Sequence, residues 1–192
     1  MKITKIKIDL EKLGKTIIQK AVEVIKSGKV IIAPTDTVYG LITDAKNEDA
    51  VRKIFEIKNR VFTKPIGVFV GDIQMAKKYV KIKKEQENLL QSTDTFILPI
   101  KKKLPFQKNT LGIRIPKSDL ILAIIRVLNF PLAQTSANIS GGFSTNNIKE
   151  IIKIFKNQKI QPDLILDAGI LPERKASKVI DLTGGRPRIL RK

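Results

Sequence analysis

Apolar residues recur along the chain with two different periods, and the periods alternate. Residues 16–26 carry Ile17, Ala21, Val24 and Ile25 at helical spacing, and Gly28 stands where such a helix would stop. Residues 29–33 are a short apolar run that reads as a buried strand, followed by a loop at 34–37 and a second strand at 38–42. The spacing predicts a helix over 48–58, with Asn47 placed to cap it, and an apolar strand over 66–70. Two short surface helices are expected at 72–80 and 85–90. Strands are predicted at 96–100 and 111–115, an apolar helix at 119–128 that Ser118 caps, and a short strand at 132–134. A helix at 148–155 and a strand at 164–167 follow. The Lys/Ile alternation of residues 1–10 reads as a first strand. Residues 179–183 and 188–190 read as a strand pair around Gly184 and Gly185.

Helices and strands mixed throughout imply an α/β protein. The terminal hairpin makes the sheet mixed rather than purely parallel. With 192 residues, no internal repeat, no low-complexity segment and no Pro/Gly linker, the chain is expected to form one domain. No apolar run reaches the roughly 18 residues of a membrane span. The N-terminus lacks the apolar stretch of a signal peptide, so a cytoplasmic protein is expected.

Composition narrows the chemistry. The chain has no Cys and no His. That excludes disulfides, zinc sites built on those residues, thiol nucleophiles and His-based triads. Hydroxyls, carboxylates, Lys, Arg and backbone dipoles remain. The net charge is +19, and only eight of the 37 basic residues are Arg. One reading is a polyphosphate or nucleic-acid partner. The other is a compositional bias toward Lys, Ile and Asn. Under that bias the retained arginines carry the information, because Lys cannot reproduce a planar guanidinium.

Four segments hold more chemistry than a connection needs. Residues 34–41, Pro-Thr-Asp-Thr-Val-Tyr-Gly-Leu, crowd hydroxyls and a carboxylate directly after a buried strand, where α/β proteins place ligands. A side-chain-bonded turn is the plainer alternative. Lys58, Arg60 and Lys64 continue a run of cations past a helix end into a loop stiffened by Pro65, which suits a triphosphate. Cations at a helix C-terminus are stabilising by themselves, which accounts for Lys58 alone. Residues 135–144 hold Ser136, Asn138, Ser140, Gly141, Gly142 and Ser144, a loop that lets backbone approach phosphate, without a Walker motif. Arg114 lies inside the apolar strand 111–115, where it meets solvent or holds an anion.

In order and spacing these segments resemble the YrdC family, the threonylcarbamoyl-AMP synthases. The resemblance runs over about 28–191. It rests on residues 34–41, on Lys58-Asn59-Arg60 with Lys64-Pro65, on Gly112-Ile113-Arg114-Ile115-Pro116, on 135–141, and on 179–182 with Ile189-Leu190-Arg191. It implies a twisted mixed sheet flanked by helices, with a basic concave cavity, in a short form without a second C-terminal domain. The implied reaction joins L-threonine, bicarbonate or CO2, and ATP into threonylcarbamoyl-AMP, which a downstream threonylcarbamoyl transferase complex moves to tRNA. The resemblance implies that Thr37, Arg114, Gln134 and Ser177 surround threonine. It implies that Arg60, Lys64, Thr110, Ser136, Asn138, Ser144 and Arg191 bind ATP, with Lys58, Arg60 and Lys64 as the catalytic basic cluster. Mg²⁺ is expected with the triphosphate, and Asp36 is the nearest carboxylate to a metal, with no dedicated site visible.

The chain departs from the family in three places. Leu90-Gln91-Ser92-Thr93-Asp94 replaces the usual Trp-Pro-Gly-Pro stretch, Phe69 stands where longer relatives carry His, and Ser177-Lys178 replaces a Ser-Thr pair. Two other functions fit the charge and fold. One is a non-catalytic module binding double-stranded RNA or tRNA, whose affinity would fall steeply with salt and ignore threonine. The other is carbamoyl transfer, which in larger proteins of this resemblance goes with zinc-finger parts that a Cys-free chain does not contain.

Overall fold

The computed structural model describes residues 3–174, 177–184 and 186–191. Ten strands form one sheet: β1 (Thr4–Lys7), β2 (Ile31–Pro34), β3 (Tyr39–Asp44), β4 (Gly67–Phe69), β5 (Thr95–Pro99), β6 (Thr110–Arg114), β7 (Leu132–Ser136), β8 (Leu164–Asp167), β9 (Val179–Asp181) and β10 (Arg188–Arg191). Five helices accompany them: α1 (Lys15–Lys26), α2 (Glu48–Ile57), α3 (Ile73–Tyr79), α4 (Asp119–Leu128) and α5 (Ile148–Lys156). The strand order is β1-β8-β2-β3-β7-β4-β6-β5-β9-β10. Parallel pairs (β1/β8, β2/β8, β4/β6, β5/β9) occur beside antiparallel ones (β2/β3, β3/β7, β4/β7, β5/β6, β9/β10), so the sheet is mixed as expected.

Helix ends follow local chemistry. Asn47 accepts the N–H of Ala50, Asp72 that of Met75 and Ser118 that of Ile121, each satisfying a donor of a helix's first turn. Helix α1 ends on Gly28 at φ +72°. The Gly28 N–H donates to Ile25 O and the Lys29 N–H to Val24 O, the paired bonds of a Schellman end. A Cβ at Gly28 would lie 2.9 Å from Asn47 Nδ2, so this turn also docks the start of α2.

Four sequence expectations shift. The first strand shrinks to β1, with Met1 and Lys2 outside the described residues. Residues 72–80 form a half-buried helix rather than a surface one, because Met75, Ala76 and Tyr79 are buried. Residues 85–90 do not make one helix; they split into 3-10 turns at Lys84–Gln86 and Leu89–Gln91, and only Leu90 is buried there, too little apolar surface to hold an α-helix. Strand β9 stops at Asp181, whose carboxylate accepts both the N–H and the hydroxyl of Thr183. The hairpin with β10 forms, and Gly185 of its turn lies outside the described residues.

Helix α1 packs on α4 and on β2 and β3, and α2 packs on β3. Residues of β5 and β6 alternate between this core and the other face. Phe96, Leu98, Leu111 and Ile113 are buried among apolar neighbours, while Thr95, Ile97, Thr110, Gly112 and Arg114 line a cavity. Among the described residues no helix is long and apolar enough to cross a membrane.

Leu41 on the interior strand β3 is fully buried. Leu41→Ala is expected to lower unfolding free energy by about 2–5 kcal/mol in urea denaturation. Val127→Ala, on the exposed side of α4, is expected to change it by no more than about 0.5 kcal/mol.

Candidate active site

The cavity exists because side chains are missing from the middle of the sheet. In register across four strands lie Gln134, Gly67, Gly112 and Ile97, with two glycines at the centre of the row. A Cβ on Gly67 would meet Gln134 Nε2 at 3.3 Å and Gly112 O at 3.5 Å, so this floor cannot rise without displacing its neighbours. The resulting space is about 410 Å³. The loops after β2 and β7, residues 35–38 and 137–144, close over it. Lys58, Arg60, Arg114 and Arg191 line it, and among the described lining residues there is no carboxylate.

Helix α2 delivers two of these cations. Its Schellman end places Asn59 at φ +51°, with Asn59 N–H on Glu56 O and Arg60 N–H on Phe55 O. The chain reverses there, and Arg60 enters the cavity. Its Nη2 donates to Pro65 O at 2.8 Å, while its buried Nε–H has no acceptor among the described residues. Lys58 is only 2 % exposed. Its ammonium donates to Ser136 O (2.6 Å), Asn138 O (2.6 Å) and Asn138 Oδ1 (3.0 Å), and its carbonyl accepts the Ser140 N–H at 2.8 Å. Three acceptors use all three ammonium donors. Burial, helped by the charge of Arg60, pulls the Lys58 pKa down to about 7.

Asn138 completes that network. Its Oδ1 also accepts the Ser136 hydroxyl at 2.7 Å, and its amide group donates to Ile139 O and Gly142 O. Gly141 turns at φ +87° with open space where a side chain would stand, a backbone shape that suits glycine. The loop is therefore fixed from within by Lys58 and Asn138, and Ser136, Ser140, Gly141 and Ser144 are presented to the cavity.

Arg114 is 3 % exposed. Its Nη2 donates to Asp36 Oδ2 at 2.6 Å and its Nη1 to Thr37 Oγ1 at 3.3 Å, across 78 and 77 residues of sequence. Its guanidinium lies 5.7 Å from the ring centre of Phe69, within cation–π range. Burial lowers the Arg114 pKa and the Asp36 carboxylate opposes that. Among the described residues the buried Nε–H of Arg114 finds no acceptor, and the buried Asp36 Oδ1 finds no donor. Thr35 braces the turn, accepting the Thr37 N–H at 3.1 Å and donating to Val38 O at 2.7 Å. Arg174 adds a bond to Asp36 O at 3.1 Å.

The C-terminal hairpin supplies the last wall. Arg191 Nη2 donates to Ser177 O at 2.7 Å, and Ser177 Oγ lies 3.2 Å from Thr95 Oγ1. Asp94, inside the stretch that departs from the family pattern, accepts the Lys178 N–H at 3.1 Å. The stretch therefore anchors the segment that carries Ser177.

Eleven of the residues singled out in the sequence line this one cavity: Thr37, Lys58, Arg60, Thr110, Arg114, Gln134, Ser136, Asn138, Ser144, Ser177 and Arg191. Lys64 does not line it and stands exposed on the neighbouring loop. The bonding already commits three of the expected residues. Lys58 and Asn138 spend their polar groups on the loop. Asp36 is the buried partner of Arg114 rather than a carboxylate open to a metal. Among the described residues no three Asp or Glu side chains converge on a metal-sized point, so they do not form a cage for Mg²⁺. Thr95 and Arg174 were not singled out in the sequence. Thr95 was detectable as the outward residue of an alternating strand, but Arg174 acts through a contact 138 residues away that no local pattern marks.

A family model for Sua5, YciO and YrdC, described as telomere recombination, matches residues 23–192. A protein of Methanocaldococcus jannaschii, whose name marks it a candidate threonylcarbamoyl-AMP synthase, is 36% identical over 188 residues, covering 94% of this chain and 87% of that protein. The threonylcarbamoyl-AMP synthase of Pyrococcus abyssi is 31% identical over 190 residues, covering 94% of this chain and 55% of its own length. The crystal structure of P. abyssi Sua5 complexed with L-threonine superposes with a TM-score of 0.88 at 30% identity, over 100% of this chain and 57% of that one. The chain thus spans little more than half the length of these P. abyssi proteins.

Lys58 gives the site a pH signature. Its folded pKa of about 7 lies below the ordinary 10.5, so between those values the unfolded chain binds more protons than the folded one. Stability therefore rises with pH across that window, by at most about 1.4 kcal/mol per pH unit. Urea midpoints taken from pH 7 to 10 are expected to climb in the native protein and to lose that climb in Lys58→Met. Equal slopes in the two proteins would contradict the assignment.

Proposed function

The chain belongs to the Sua5, YciO and YrdC family, and from that membership we propose that it joins L-threonine, bicarbonate or CO2, and ATP into threonylcarbamoyl-AMP and pyrophosphate. The product would feed tRNA modification through a separate transferase. The observation that carries this reading is a pair of buried guanidinium Nε–H donors, on Arg60 and Arg114, that line one cavity and lack acceptors. A buried donor left without a partner costs about 1–3 kcal/mol. Both donors belong to arginines that line a space with no carboxylate among its described lining residues, which favours anionic groups there.

The division of labour follows from position. Arg114, already half-neutralised by Asp36, offers its remaining donors to the threonine carboxylate beside Thr37, Gln134 and Ser177. Arg60, Arg191 and the serines of residues 136–144 take the triphosphate, with Thr110 at the rim. Lys64, on the exposed loop beside Pro65, adds charge from outside the cavity.

The chemistry needs positioning and charge more than a proton relay. The threonine nitrogen attacks the carbon of CO2 and loses a proton, giving a carbamate. A carbamate oxygen then attacks the α-phosphorus of ATP, the bond from that phosphorus to the bridging oxygen breaks, and pyrophosphate leaves with the electron pair. Negative charge accumulates on the departing pyrophosphate, where preorganised cations stabilise it most effectively. Lys58 and Asn138 act earlier, by holding the loop so that it need not reorganise during the reaction.

Pyrophosphate release from ATP tests the reading directly. Release in bicarbonate buffer is expected to require L-threonine and to be lost when bicarbonate is removed. Release that ignores threonine, or none from folded protein, would overturn it.

A further inference from the structure

A second concavity lies at the other end of the sheet, and the reaction above makes no use of it. It encloses about 430 Å³ and shares no lining residue with the candidate active site. Strand directions separate the two. Strands β1, β8 and β2 run parallel with Thr4, Leu164 and Ile31 in register, and this cavity lies at their N-terminal ends. The loop that bears Asp36 and Thr37 leaves β2 at its C-terminal end.

Four lysines line the second cavity: Lys20 on α1, Lys29 ahead of β2, Lys53 on α2 and Lys159 ahead of β8. Asp163 is the one carboxylate among the described lining residues, and its charge is already committed. It accepts Lys53 Nζ on both oxygens, at 2.7 and 2.8 Å, and the Val30 N–H at 2.8 Å. Lys20 meets Glu23 at 3.3 Å in an exposed helical pair, which contributes little. Among the described residues neither Lys29 nor Lys159 makes an ion pair. Val24, Ile160 and Leu164 give the same space an apolar wall.

We propose that this cavity is a binding site for a phosphate monoester of nucleotide size, with the phosphate among Lys20, Lys29 and Lys159 and the organic part against Val24 and Ile160. Lysine ammonium groups suit a phosphate as compact point charges that need no forked geometry. The volume falls within the roughly 300–1,000 Å³ of small-molecule sites, and the mixture of apolar wall and a few charged groups is the composition of such sites. A nucleic-acid duplex would meet the rim lysines and leave the apolar wall uncovered. The proposal stands apart from the synthase reading and does not rest on it.

Amide NMR of the full chain separates the two sites. Titration with AMP is expected to move the amides of Val30, Asp163 and Leu164 saturably, whatever happens to residues 136–144. The double variant Lys29→Glu with Lys159→Glu, altered only at exposed positions, is expected to weaken that response about tenfold or more, with the shifts at 136–144 unchanged. Inorganic phosphate alone is expected to bind more weakly than AMP. The proposal is overturned if no saturable shift occurs at Val30, Asp163 and Leu164, or if the double variant responds like the native protein. Equal affinity for phosphate and AMP, or a response to a short oligoribonucleotide but not to AMP, would also overturn it.

Discussion

Arg114 is a full positive charge set into an apolar strand, and the geometry of the candidate site depends on how that charge is held. Asp36 answers it from a loop 78 residues away at 2.6 Å, and Phe69 lies beneath the guanidinium. Removing either partner would strand the other in the interior, a change that typically costs about 3–5 kcal/mol. The pair therefore locks the loop after β2 over the sheet face. Within the pair the buried Nε–H of Arg114 finds no acceptor among the described residues.

A second buried cation does a different task. Lys58 faces three oxygens of the loop after β7 and keeps no donor for a ligand. Its three bonds organise backbone, and the burial that goes with them is what lowers its pKa. Between these two anchored loops the sheet contributes an absence, the Gly67–Gly112 floor, so that the cavity is carved from a regular strand register rather than from an irregular segment. Rigid walls with pre-aimed cations suit a reaction in which charge moves onto a leaving pyrophosphate.

Much of this was legible in the sequence where the signal is local. The alternation Thr110, Gly112, Arg114 against Leu111 and Ile113 marks a strand with one unusual face, and Gly28 and Asn47 mark the helix ends that the structure shows. Most of the residues expected in the site do meet, because each segment of the resemblance carries its own turn chemistry. The employment of Lys58, Asn138 and Asp36 was not legible. A lysine, an asparagine and an aspartate that face a ligand read the same in sequence as ones consumed by loop carbonyls or by a guanidinium group on another strand. The helix expected at residues 85–90 failed for the opposite reason, since a few apolar residues in a polar stretch fit a helix pattern without the buried area to sustain one.

The central claim is that Arg60 and Arg114, whose buried Nε–H groups find no acceptor among the described residues, each receive one anionic substrate group. Arginine side-chain ¹⁵Nε NMR, with L-threonine and ATP added in turn to bicarbonate-free protein, tests it most directly. The account predicts that threonine moves the Arg114 resonance and slows its exchange with water, and that ATP does the same for Arg60. If both substrates bind and neither resonance responds, the two guanidinium groups are structural and the assignment of the cavity is wrong.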